Sequence, residues 1–120
     1  MRASTMAYER GSIVLVNFNP QKKAEEVGKV RPALILSDTM LNDILDLVTV
    51  IPFSTNLIDD AEPLRIRMVP RDKLKHESDA MIEQLRNIAK SRIGECIGYV
   101  SEEELAKVEY GVKMMLGLNS

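Results

Sequence analysis

Arg65, Arg67, Arg71, Lys73 and Lys75 fall within twelve residues that hold a single acid, Asp72, so residues 65–76 carry a local charge of +4. Cations at that density suit a phosphate backbone, and equally an ordinary solvated face. The opposite sign collects at Glu102, Glu103, Glu104 and Glu109, with Lys107 the one cation among them. His76 is the sole histidine and lies in the charged run 73–77, where it reads as a solvated loop residue rather than a base. Asp59-Asp60-Ala61-Glu62 offers oxygen ligands for a hard cation, yet such a run reads first as a loop tip. Cys96 is the only cysteine, which excludes an internal disulfide and a structural zinc site built on paired cysteines. The phosphate-loop, dinucleotide, zinc-protease and serine-hydrolase motifs are all absent.

The elements that must position these residues are short. Ile13–Phe18 is β-branched and apolar between Gly11 and Asn19-Pro20, and predicts a strand. A polar loop over 21–29 leads to a second strand beginning at Pro32 and ending at Ser37-Asp38. A short helical stretch over 39–45 precedes a third strand over 47–51, closed by Pro52 and the residues after it. Leu64–Val69 alternates apolar and basic residues, as a strand with one buried and one cationic face would. Two further strands are predicted over 79–88 and 92–100. Ser101 and Glu104 have capping-box spacing, Leu105, Val108, Val112, Met115 and Leu116 share one face, and Gly117 follows, which predicts a terminal helix. Five or six strands, one terminal helix and no βαβ alternation imply a small, mostly antiparallel barrel or curled sheet.

The 120 residues are 45% hydrophobic and 28% charged, which fits one globular domain. We expect a flexible leader over 1–8 and a single domain over 9–120. No apolar run approaches the roughly 18 residues of a membrane span, and the N-terminus lacks a signal-peptide core. A cytoplasmic protein is therefore expected.

Four segments in order, Arg10–Val16 with Asn19-Pro20, Gly28–Ser37, Val50–Thr55 and Glu83–Ile93, resemble the MazF/PemK family of toxin endoribonucleases. The likeness runs from about residue 10 to 118, and Lys29-Val30-Arg31-Pro32-Ala33-Leu34 is its most specific piece. It implies an SH3-like barrel, a homodimer, and cleavage of single-stranded mRNA without metal or cofactor. It also implies a cognate antitoxin lying over the RNA site. Carried across by position, the catalytic residues are Arg31, Ser54 and Glu83, and the RNA-binding residues include Glu26, Lys29, Gln84 and Arg86. Thr55 joins them as a neighbouring hydroxyl, and Arg65 and Arg67 as the cationic strand face. Ser54 stands where the family usually has threonine, so either Ser54 or Thr55 could supply the hydroxyl. Met81 replaces an arginine of PemK-type members, Ala24-Glu25 replaces the pair often found before the acid of the loop, and Asn87 and Ala89 replace a usual Thr and Asp.

RNA carries its own nucleophile, the 2′-hydroxyl, so an enzyme has to position the phosphate, stabilise its added charge and move two protons. Arginine's planar, permanently charged fork suits the phosphate, serine can hydrogen-bond it, and a carboxylate can act as base. Two other functions compete with this one. A catalytically inactive binding module would fit Ser54 and Met81. A CcdB-like gyrase poison would share the fold, but the chain has no Trp and ends Leu118-Asn119-Ser120.

Overall fold

The computed structural model describes residues 8–18 and 30–118. Seven strands and two helices follow in the order β1 (Ser12–Asn17), β2 (Val30–Ile35), α1 (Thr39–Ile44), β3 (Leu47–Ser54), β4 (Arg65–Met68), β5 (Ser78–Met81), β6 (Arg86–Ala89), β7 (Ile93–Tyr99) and α2 (Glu102–Leu116). Every strand pair is antiparallel. The sheet runs β4-β5-β3-β2-β1-β7, with β6 also on β3. Its two ends meet again where the Lys73 N–H donates to the Ile97 carbonyl at 3.0 Å. The expected fold class, an antiparallel β structure with a C-terminal helix, is the one the chain adopts.

Alternation along the strands builds two cores. Ile13, Leu34, Ile51, Phe53 and Ile97 point into the curl, and α2 closes it with Val108, Leu105, Val112 and Met115. Val14, Val16, Ala33, Ile35 and Val50 occupy the other face under Tyr8 and Phe18. Tyr8 also gives its carbonyl to the Asn42 side chain at 2.6 Å, so this residue of the expected leader is docked. The capping box forms as the spacing predicts: Ser101 accepts the Glu104 N–H and Glu104 accepts the Ser101 N–H. Gly117, at φ 72°, stops α2.

Two expectations need correction. The strand expected over 79–88 is two strands, β5 and β6, because a single 3₁₀ turn over Ile82–Gln84 breaks it, and the described residues therefore form seven strands. The third strand also continues past Pro52 to Ser54. Leu36 N–H donates to Thr49 O, and the alternation of antiparallel hydrogen bonds then turns the Pro52 nitrogen away from β2. On that edge β3 changes partner, from β6 over 47–50 to β5 over 53–54, so no donor is needed at residue 52. Pro32 does the opposite. It has no N–H to give β3, and the pairing of β2 with β3 ends at Ala33↔Pro52.

Candidate functional site

The ends of β1, β2 and β3 carry the residues of interest. β2 and β3 pair as Ala33↔Pro52, Leu34↔Ile51 and Ile35↔Val50, and that register continued past Pro32 sets Arg31 opposite Ser54. Direct cross-strand partners share a face. Arg31 is exposed, and its side chain has neither hydrogen bond nor ion pair to another described residue. Thr55, one residue on, belongs to the other face and lines a cleft of about 320 Å³ with Leu15, Pro32, Leu74 and Ile97, rimmed by Lys73, Lys75 and His76.

A chain of polar contacts leads from Ser54 to Glu83. The Asn56 N–H donates to Ser54 Oγ at 3.0 Å, closing a tight turn after β3. The Asn56 carbonyl accepts from Arg65 at 3.4 Å, and Arg65 reaches the Glu83 carboxylate at 3.7 Å. Glu83 sits in the 3₁₀ turn that separates β5 from β6, so the break in that strand is what swings its carboxylate toward Arg65. Thus Ser54 and Glu83 are joined through Asn56 and Arg65, while Arg31 lies on the neighbouring strand β2.

The basic run is largely neutralised on folding. Arg67 pairs with Asp79 at 2.6 Å and Asp59 at 2.9 Å, and its guanidinium is held above its ordinary pKa chiefly by the Asp79 hydrogen bond. Arg65 lies 3.8 Å from Asp79, Arg71 clasps Glu104, and Lys73 pairs with Glu95. Of the five cations, only Lys75 has no partner among the described residues. A phosphate chain at Arg65 or Arg67 would have to compete with carboxylates already in place.

The remaining predicted residues are dispersed around this centre. Arg86 stacks over the Phe18 ring at 4.8 Å on the face of the second core, and Gln84 is exposed in the 3₁₀ turn. Glu26 and Lys29 lie outside the described residues. Asn87, where the resembled family usually has Thr, accepts the Thr49 hydroxyl at 2.6 Å across β3 and β6. No group of three or more His, Cys, Asp or Glu among the described residues is arranged to hold a metal. No helix among them is long and apolar enough to cross a membrane.

Asp79 and Asn56 were not singled out in the sequence. The signal for Asp79 was present: an acid inside a short strand, facing the two arginines of Arg65-Ile66-Arg67. Asn56 acts through its backbone, which no side-chain pattern could announce.

The family described as PemK-like, MazF-like toxin of type II toxin-antitoxin system matches residues 9–116. Endoribonuclease MazF of Staphylococcus epidermidis is 27% identical over 112 residues, 92% of either chain. A MazE-MazF crystal structure from Deinococcus radiodurans superposes with a TM-score of 0.76 at 20% identity, covering 96% of this chain and all of that one. Mycobacterium tuberculosis toxin MazF-mt6 superposes at 0.75 with 19% identity, covering 91% and 99%. At such identities the two superpositions speak for the fold.

Proposed function

Because the chain belongs to the family of PemK-like, MazF-like toxins of type II toxin-antitoxin systems and is an endoribonuclease of that kind, we propose that it cuts single-stranded RNA by 2′-hydroxyl attack at Arg31, Ser54 and Glu83. In this reaction Glu83 takes the proton of the 2′-hydroxyl, the O2′–P bond forms and the P–O5′ bond breaks. The leaving 5′-oxygen is protonated from solvent. Products are a 2′,3′-cyclic phosphate and a 5′-hydroxyl. Arg31 stabilises the charge that develops on the phosphorane and on the leaving oxygen, a role suited to a guanidinium with no carboxylate partner among the described residues. Ser54 hydrogen-bonds a phosphate oxygen, since the Asn56 N–H it accepts leaves its own proton free to be donated.

The observation that carries this reading is an exposed Arg31, its side chain without a partner among the described residues, on the strand that pairs with β3, which ends at Ser54. It also supports Ser54 over Thr55 as the hydroxyl, because Thr55 lines the cleft on the opposite face. Lys29 and Glu26 would contact the RNA from the β1–β2 connection, and Gln84 and Arg86 from the turn and strand beyond Glu83. A substrate with one 2′-deoxynucleotide at the cut position tests the chemistry. It should bind and stay intact, and cutting at that position would contradict 2′-hydroxyl attack.

We further propose a homodimer acting in the cytoplasm, restrained by an antitoxin whose acidic segment covers Arg31. The Deinococcus relative of the same fold is a MazE-MazF structure. Exposed apolar side chains at Met40, Leu41, Ile44, Leu45 and Leu47 supply a surface that a second copy would cover.

A further inference from the structure

Asp79 is 1% exposed, and a carboxylate so buried must be paired. It is paired three ways. Arg67 Nε donates to it at 2.6 Å, the Ile58 N–H donates at 2.8 Å, and Arg65 Nη1 lies at 3.8 Å. It also stands directly opposite Ser54 in the β3–β5 ladder. The turn after β3 is therefore tied at both ends: at Ser54, through the Asn56 N–H, and at Ile58, through Asp79. Arg65 is the link to the other side of the site, because the same guanidinium touches Asp79, the Asn56 carbonyl and Glu83.

We propose that Asp79 is a positioning residue for RNA cleavage: through Ile58 and Arg65 it sets the separation between the Ser54 hydroxyl and the Glu83 carboxylate. The inference rests on the roles given above to Ser54 and Glu83. It assigns Arg65 a structural link within the site instead of a place on a phosphate track. A displacement of about 1 Å at a reacting group can cost about a hundredfold in rate, so a clamp of this kind acts on turnover more than on substrate binding.

The test compares wild type with Asp79→Asn, Arg65→Gln, the double variant and Val108→Ala, using an RNA oligonucleotide that wild type cuts once. Asparagine keeps the shape of Asp79 and its oxygen can still accept the Ile58 N–H, but the lost charge loosens the contact with Arg65 and the amide NH2 then faces the Arg67 Nε–H, so a stability control is needed beside it. Val108 is an apolar core residue of α2 with no part in the chain of polar contacts from Ser54 to Glu83, and its truncation reports what lost packing alone does to turnover. We expect kcat to fall about tenfold to a hundredfold in Asp79→Asn and Arg65→Gln with KM changed less than about threefold. The double variant should be no slower than the slower single one, because both act through one contact. A kcat for Asp79→Asn no lower than that of Val108→Ala, or losses that multiply in the double variant, would overturn the proposal. Arg31→Ala run alongside separates the two levels. If it cuts as fast as wild type, the cleavage reading fails; if it is inactive while Asp79→Asn turns over normally, only the role of Asp79 fails.

Discussion

Arg71 and Glu104, 33 residues apart, form a two-pronged ion pair that fastens the loop after β4 to the first turn of α2. The same carboxylate accepts the Ser101 N–H and so completes the capping box. One side chain thereby starts the helix and anchors it to the barrel. Both partners are largely shielded from solvent, at 18% and 21% exposure, which lifts the pair above the usual weak surface bridge.

Stability should fall in acid through this carboxylate. The Arg71 hydrogen bond is the largest cause holding the Glu104 pKa below its ordinary value. A group lowered in the folded state contributes in full above the unfolded value, about 4.3, and loses that contribution as pH drops through the folded one. Glu104→Gln should lower Tm at pH 7, and the gap from wild type should narrow below about pH 4.3. Parallel Tm curves for the two proteins down to acid pH would refute the assignment.

Gly111 packs α2 closely against the loop before β4. A Cβ there would overlap the Pro63 carbonyl oxygen and press on Ile82. Alanine favours a helix by about 1 kcal/mol over glycine, but a rigid backbone oxygen cannot retreat cheaply. Gly111→Ala should destabilise by about 1–3 kcal/mol, a Tm loss of roughly 4–12 °C by calorimetry. An unchanged or higher Tm would show that the helix can shift.

Most of the fold was legible in the sequence because its signals are local. Alternation in Ile13–Phe18, the Ser101/Glu104 spacing and Gly117 each state their element without help from the rest of the chain. What could not be read depends on partners distant in sequence. Pro52 looks like a strand end until β3 is seen to exchange β6 for β5 there. Arg65 and Arg67 look like a cationic track until Asp79, Asp59 and Glu83 are brought against them. Arg31 and Ser54 were found through family resemblance, and register supplies the physical reason to pair them. Asp79 was overlooked because a lone acid in a four-residue strand acquires meaning only from its neighbours in space.

Ser54 and Thr55 are predicted to respond differently. Ser54→Ala should lower kcat about a hundredfold, comparable to losing one donor to a developing oxyanion, whereas Ser54→Thr keeps the hydroxyl and most of the rate. Thr55→Ala should raise KM in preference to lowering kcat, because its side chain lines the cleft on the other face. Steady-state kinetics on one oligonucleotide decides the matter, and a kcat loss confined to Thr55→Ala would exchange the two roles.

Arg31 is expected to drive cleavage of RNA by the RNA's own 2′-hydroxyl. Purified wild type and Arg31→Ala should be incubated with a long single-stranded RNA in EDTA, with both new ends mapped. Discrete cuts by wild type, bearing 2′,3′-cyclic phosphate and 5′-hydroxyl ends, are expected, with a loss of about a thousandfold or more in the variant. Equal cutting by Arg31→Ala, or no cutting by the wild type, would contradict that role of Arg31.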